Sequence, residues 1–394
     1  MSRNYNDPAN VEGSGVVKSG VGNQLRTDHY VKRALIEMRK EQHFGQLANV
    51  QSMPKNMGKT LKKFHYLPLL DDANINDQGI DASGAVITDG NLYGSSKDVG
   101  TITGKMPVLS ETGGRVNRVG FKRKEIEGSI AKFGFFDEYT QESLDFDTDA
   151  DLYMHINREM LNGANEITED LLQIDLLNAA GVVKFGGSAT DDDEVDATSE
   201  ITYDDLLRLS IDLDNNRTPK QTKIITGTRM IDTKTIPGGR VMYIGSELQP
   251  MLEAMKDLHN ERAFIPVEKY AAGGTVLTNE IGTVGKFRIV VVPEMMKWSG
   301  AGAAVGANTT HFSDGTNFDV FPMLVVGDSS FSTIGFQTDG KTVKFKIKHS
   351  EPGSPESYAN DPYGETGFMS IKWYYGFLLE RGERIALLKT SAPM

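Results

Sequence analysis

The sequence predicts an α+β fold with a modest core and long extended excursions. Three observations carry that expectation. An apolar stripe of helical period runs from about Asp149 to Ala180. The last part of the chain, from MLVVGDSSFSTIGF to the C-terminus, is dominated by strand patterns. Between two strand-like runs, from Thr60 to about Tyr139, lie about forty residues dense in Asp, Asn, Gly, Ser and Thr, a length that compact domains reserve for functional loops.

The totals agree. A chain of 394 residues holds two or three folded units at roughly 150 residues each. Hydrophobic residues reach only 39%, and glycine is frequent at 41, which suits a folded protein with much loop and strand. Lys+Arg 42 against Asp+Glu 54 leaves a formal charge of -12, the wrong sign for a protein devoted to gripping phosphate backbones. With no cysteine, disulfides, thiolate zinc sites, iron–sulfur clusters and cysteine nucleophiles are excluded. The N-terminal MSRNYNDPANVEGSGVVKSG lacks the apolar segment of a signal peptide, and no window approaches about 18 consecutive apolar residues. The expectation is a protein made in the cytoplasm without a membrane anchor.

The elements follow in order. Residues 1–25 are Gly/Ser/Asn-rich and predict a tail. A helix is predicted over about Asp28 to Leu47, capped by Thr27 or Asp28, with Val31, Leu35 and Met38 on one face and Lys32, Arg33, Arg39 and Lys40 on the others. PKNMGK then breaks the pattern. In the strand TLKKFHYLPLL, Phe64 and Tyr66 alternate with Lys63 and His65, which predicts that the two rings share one buried face. The returning strand, GRVNRVGFKRKEIEGSIAKFGFFDEY, carries a basic stripe of Arg115, Arg118, Lys122, Arg123 and Lys124. Nucleic-acid binding, a charge-protected sheet edge and a contact with an acidic neighbouring subunit are all open readings of that stripe. The third is favoured, because a two-stranded excursion buries too little apolar area to stand alone.

The long helix carries Leu152, Ile156, Met160, Ala164, Ile167, Leu171 and Ile174 as its stripe and would span roughly 45 Å. Thr148 and Asp151 resemble a capping box, and Gly181 is placed to end the helix. Asp191 to Asp196 suggests a solvated loop. Residues 201–292 alternate helix and strand patterns: YDDLLRLSIDLDNN and LQPMLEAMKDL as helices, KIITGT, VMYIG and FRIVVVP as strands. They predict an α/β segment with its own small core, in which Ser246 caps a strand-to-helix turn. Ala301 to Thr310 predicts a flexible loop or an insertion, and no repeat of 20–50 residues is present.

No chemistry rises above its ordinary structural reading. Gly15 and Gly20 have phosphate-loop spacing, but Val21 and Gly22 stand where Lys and Ser/Thr are needed. His155 and Glu159 lie one helical turn apart, a pairing far commoner as a polar surface pair than as metal ligands. The acidic run lacks the central Gly and terminal Glu of a calcium loop. No Ser occurs in G-x-S-x-G. No catalytic residue, cofactor or metal is therefore expected.

The order of parts is itself informative: a basic arm helix, a strand–loop–strand excursion, a long helix, an α/β unit and a returning β segment. This order resembles the HK97-type capsid fold of tailed bacteriophages. GKFRIVVV (Gly285 to Val292), VVGDSSFSTIGF (Val325 to Phe336) and ERGERIALLKTSAP (Glu380 to Pro393) resemble its closing strands. MPKNMGKTLKKFHYLPLL, TKTIPGGRVMYIGSEL and DPYGETGFMSIKWYYGFLLERGERIALL are similar, more narrowly, to major capsid proteins of N4-like phages. The likeness extends from about Thr27 to the C-terminus. It implies an N-terminal tail and N-arm over 1–58, an E-loop over 59–136 and a P domain with its spine helix over 137–200. It further implies an A domain over 201–325 and returning P-domain strands over 326–394.

The resemblance also implies a function, that of a shell subunit in the virion, assembled in the host cytoplasm. Homo-oligomeric hexamers and pentamers would enclose double-stranded DNA, touched weakly and without sequence preference. A portal protein would be a partner, with scaffolding and decoration proteins as further candidates. Only a short tail precedes the predicted arm helix, so the long charged helical extension that serves some capsid families as a built-in scaffold is not expected here, and scaffolding would be a separate protein or unnecessary. Arg33, Arg39, Phe64, Tyr66, Arg115, Arg118, Lys122 and Arg123 are the expected intersubunit contacts. The rivals are an encapsulin-type nanocompartment, a cytoplasmic α/β enzyme with a long lid, and a tail tube protein. Replacing Arg118 and Arg123 by Glu is expected to reduce particle yield in a sucrose gradient while leaving the melting temperature of the unassembled chain unchanged.

Overall fold

The computed structural model describes residues 43–47, 49–66, 99–100, 123–146, 152–225, 233–271, 276–306, 310–337, 344–354, 361 and 363–394. They fall into two compact units: Lys59–Ser129, and the residues up to Gly58 together with those from Ile130 onward. The strands in chain order are β1 (Asn49–Met53), β2 (Thr60–Tyr66), β3 (Arg123–Thr140), β4 (Val182–Phe185), β5 (Gln221–Ile225), β6 (Thr233–Pro237) and β7 (Arg240–Ile244). They continue with β8 (Phe264–Pro266), β9 (Glu280–Val284), β10 (Phe287–Val291), β11 (Phe321–Val326) and β12 (Phe331–Phe336). β13 (Lys346–Ser350), β14 (Thr366–Leu379) and β15 (Ile385–Thr390) complete the set. The α-helices are α1 (Gln141–Phe146), α2 (Leu152–Asn178), α3 (Tyr203–Asn215) and α4 (Gln249–Ala254).

In the larger unit a seven-stranded mixed sheet runs in the order β4-β15-β11-β7-β10-β9-β8. β7, β10 and β11 are buried at every position, so apart from Arg240 and Arg288 they read as apolar runs rather than alternating ones. Their side chains still alternate between two cores. Met242, Ile244, Ile289, Val291, Met323 and Val325 face the core shared with α3 and α4. Val241, Tyr243, Val290, Leu324 and Val326 face the core shared with α2. The predicted α/β core is thus not self-contained: β15, from the end of the chain, places Ala386 and Leu388 in it and lies against β11 in the middle of the sheet.

A second sheet in the same unit pairs β1 with β12, β12 with β14, and β14 with both β13 and the Ile130–Thr140 part of β3. β14 alternates, burying Met369, Ile371, Trp373 and Tyr375 toward α2. Trp373 is held by Phe133, Phe135 and Phe345, with ring centroids 6.1, 6.0 and 5.6 Å away.

Several sequence expectations need correction. The buried side of α2 is Met160, Ala164, Thr168, Leu172 and Leu176, an i, i+4 row, with Glu169 and Gln173 beside it. Ile167 and Ile174, placed in the predicted stripe, are 41% and 43% exposed. Counting only apolar residues missed the polar members of the buried face and rotated the stripe. Gly181 does follow the helix, but its backbone is not left-handed. A Cβ there would come within 2.6 Å of Gly382, so close chain approach calls for glycine. The cap of α3 is Thr202, in a full capping box with Asp205. Ser246 is no cap: it starts a 3₁₀ turn whose capping position is Gly245, and the helix after it stops at Ala254.

Ala301 to Gly306 is an ordered ladder rather than a flexible loop. Gly302 and Val305 donate to Phe318 and Thr316, and Ala303 donates to Val195. The acidic run is likewise pinned: Asp191 caps a 3₁₀ turn, Lys389 Nζ lies 2.7 Å from both Asp192 oxygens, and Val195 is buried. Of the predicted arm helix only residues 43–47 are described, and Gly45–Leu47 forms a 3₁₀ turn. The tail, the proposed cap at Thr148 and most of the predicted loop fall outside the described residues.

The corrected face of α2 is testable by urea denaturation of the unassembled chain. Leu172→Ala, at a position 1% exposed, should cost about 2–5 kcal/mol. Ile167→Ala should stay within about 1 kcal/mol.

Candidate assembly surfaces

Two features decide how the chain presents its extended parts. The first is the attachment of His43, Phe44 and Gly45, at the end of the predicted arm helix. Glu169, on the buried side of α2, accepts backbone N–H bonds from His43 at 2.7 Å, Phe44 at 2.6 Å and Gly45 at 3.2 Å. Phe44 is then buried with its ring 4.9 Å from Tyr243 of the seven-stranded sheet. Burial pushes the Glu169 carboxyl above its ordinary range, against the three amides that favour its ionised form. Asp175, two turns on, is raised for the same reason and accepts a bond of 2.8 Å from Tyr375 Oη. Nothing in the sequence marks Glu169: it looks like any helix carboxylate until the backbone amides arrive from more than 120 residues away.

The second feature is the ribbon in Lys59–Ser129. β2 runs antiparallel to the Arg123–Ser129 part of β3, with Lys62 opposite Glu127, Phe64 opposite Glu125 and Tyr66 opposite Arg123. These six side chains share one face. Lys62 bonds Glu125 at 2.6 Å and reaches Glu127 at 3.6 Å, and the Arg123 guanidinium sits 4.0 Å above the Phe64 ring. The Lys62 bond holds the Glu125 carboxyl below its usual range. The predicted burial of Phe64 and Tyr66 is not found: they are 48% and 62% exposed. Among the described residues this unit has a single two-stranded ribbon, so alternation here predicts a shared face but not its burial. Exposed ion pairs of this kind contribute little to stability, because water screens them. Exposed aromatics beside an arginine are the composition of interface anchors.

Of the expected contact residues, only Phe64, Tyr66 and Arg123 are described, and all three come together on this face. Arg33, Arg39, Arg115, Arg118 and Lys122 lie outside the described residues.

Buried charge elsewhere is structural. Arg288 donates two hydrogen bonds to the Glu280 carboxylate, at 2.7 and 2.6 Å, and Glu280 also accepts from Tyr270 Oη and the Leu277 amide. Arg240, 1% exposed, bonds Asp214 and the Thr218 carbonyl. His155 and Glu159, weighed above as metal ligands, both engage Arg158 instead. Among the described residues no group of three or more His, Asp or Glu could hold a metal ion, and no helix is long and apolar enough to cross a membrane.

A two-core α+β body and a two-stranded ribbon within one chain define a class of protein, the HK97-type capsid shell proteins, and solved capsid structures share the fold. The capsid of Ralstonia phage GP4 matches with a TM-score of 0.59 at 11% identity, covering 96% of this chain and 98% of that one. The cyanophage Pam1 capsid matches at 0.53 and 12% identity, over 94% and 99%. The capsid of cyanophage P-SCSP1u matches at 0.52 and 15% identity, over 97% and 99%.

The family model for phage capsid proteins matches residues 123–378, and the chain belongs to that family. It is 63% identical over 391 residues to the major capsid protein of Pseudomonas phage KPP21, covering 99% of this chain and 97% of that protein. It is a structural shell protein and not an enzyme.

Glu169 gives a pH prediction. Its folded pKa lies above the ordinary 4.5, so its contribution to stability is full below that value and is lost as pH rises through the folded pKa. Denaturant midpoints of the wild type should therefore fall with rising pH above about 4.5 relative to Glu169→Gln, which lacks the titrating group. Parallel curves would remove Glu169 from the pH response.

Proposed function

We propose that this chain is the principal building block of an icosahedral phage shell, forming hexamers and pentamers around double-stranded DNA. The observation that carries the reading is the 63% identity, over almost the whole chain, with a protein named as a major capsid protein. On this reading residues 1–58 are the tail and N-arm and 59–136 the E-loop. Residues 137–200 and 326–394 build the P domain, and 201–325 the A domain. The narrower kinship with N4-like phages belongs to the same proposal, as do assembly in the host cytoplasm, a portal partner, and scaffolding and decoration proteins.

The ribbon face of Lys62, Phe64, Tyr66, Arg123, Glu125 and Glu127 is the described part of the intersubunit surface. Arg33, Arg39, Arg115, Arg118 and Lys122 extend it. The physical support is that this face exposes two aromatic rings and an arginine on a ribbon with little core of its own. Covering it against a second subunit would supply the burial it lacks. The net charge of -12 suits DNA contacts that stay weak.

Negative-stain electron microscopy with size-exclusion chromatography of the expressed chain tests the reading. Closed shells or hexameric rings are expected, and DNA rather than a co-purifying enzyme inside particles from infected cells. A stable dimer whose melting point rises with a small ligand would overturn it.

A further inference from the structure

The two ends of the seven-stranded sheet differ in charge. Strand register fixes which residues share an end. Leu388, Met323 and Ile244 stand at one level across β15, β11 and β7, and Ala386, Val325 and Met242 at the next. β4 runs parallel to β15, and β10 parallel to β7. The exit of β4 into the turn at Asp191–Glu194 therefore lies at one end, and Arg240 and Phe287, which open β7 and β10, at the other. Five-residue strands separate the ends by about 15 Å. Helix α3, capped by Thr202 and reaching Asp214, spans about 20 Å between them.

The first end is acidic. Lys389 neutralises Asp192, while Asp191, Asp193 and Glu194 are exposed on a capped 3₁₀ turn. The second end is cationic. Asp214 receives Arg240 at 2.6 Å, Lys220 at 3.2 Å and Lys286 at 3.8 Å, so three cations share one carboxylate. Arg240 is 1% exposed, and its Nε and Nη1 have no hydrogen-bond partner among the described residues. The lysine side chains are 57% and 49% exposed. A buried guanidinium only half satisfied leaves positive potential at this end, in a chain whose total charge is -12.

The two patches cannot meet within one subunit, because they sit at opposite ends of the same strands. We propose that the cationic end, Lys220 and Lys286 around Asp214 and Arg240, docks the exposed carboxylates of the Asp191–Glu194 turn of a second copy of this chain. The inference rests on the shell-subunit reading above. A contact between two different patches is heterologous, and repeated about an axis it closes a ring. Its exposed ion pairs set orientation and encounter rate more than affinity.

The test compares the full chain with Lys220→Glu/Lys286→Glu, with Asp191→Lys/Asp193→Lys/Glu194→Lys, and with all five changes together. Arg240 is left in place because it is buried. The readout is the fraction sedimenting as rings or shells at low and high salt, with melting curves as a fold control. Each reversal alone should lower the assembled fraction about tenfold at low salt, and the combined variant should restore most of it. Two reversals that assemble like the wild type, or a folded combined variant without rescue, overturn the contact. So does a lysine variant that assembles normally but retains less of a short DNA duplex on a filter, which would assign the patch to nucleic acid. A wild type that forms no oligomer overturns the shell reading and this contact with it.

Discussion

Helix α2 packs a single row of side chains, Met160, Ala164, Leu172 and Leu176, into a core to which both sheets contribute. The rest of the larger unit depends on that double duty. Tyr243 and Leu324 enter the core from the seven-stranded sheet, and Trp373 and Ile371 enter from β14. Because one helix serves both, neither sheet has a private hydrophobic core on that side, and residues hundreds of positions apart must arrive before either is complete. The opposite face of the seven-stranded sheet has separate cover from α3 and α4, which is why its central strands show no polar alternation.

Polar groups complete what the apolar row begins. Glu169 would be an expensive residue to bury alone. It is matched by three backbone amides that would otherwise be buried without acceptors, so each side of the contact satisfies the other. Arg288 and Glu280 solve the same problem as a closed pair with Tyr270 and Leu277 as further donors. Arg240 does so less fully, and its surplus charge is the local feature that distinguishes one end of the sheet from the other.

Much of the architecture was legible in the residues. The long helix, the strands around VMYIG, FRIVVVP and MLVVGDSSFSTIGF, and the helix at YDDLLRLSIDLDNN follow from periodicity, since each buries one face or both. The phase of the long helix was not legible, because Thr168, Glu169 and Gln173 belong to its buried side and hydropathy assigns them to water. The late insertion of β15 beside β11 was also beyond reach, as strand order is a long-range property. At the ribbon, alternation put Phe64 and Tyr66 on one face correctly and misjudged its cover, since sequence pattern reports periodicity and not what lies opposite. The order of parts, rather than any single motif, carried the resemblance to capsid proteins.

The pairing of β1 has a consequence for the time course of synthesis. Asn49–Met53 is the first described strand to leave the ribosome, yet its ladder partner is Ser332–Phe336, about 280 residues later. At about 5–20 residues per second the strand waits roughly 15–60 s with both edges open. The amides of His43, Phe44 and Gly45 wait a shorter time for Glu169. NVQSM is short and carries two polar amides and a serine, a composition that resists self-pairing during that interval. The slow arrival of its partner leaves Asn49–Met53 to rely on that composition in a cell making many copies at once.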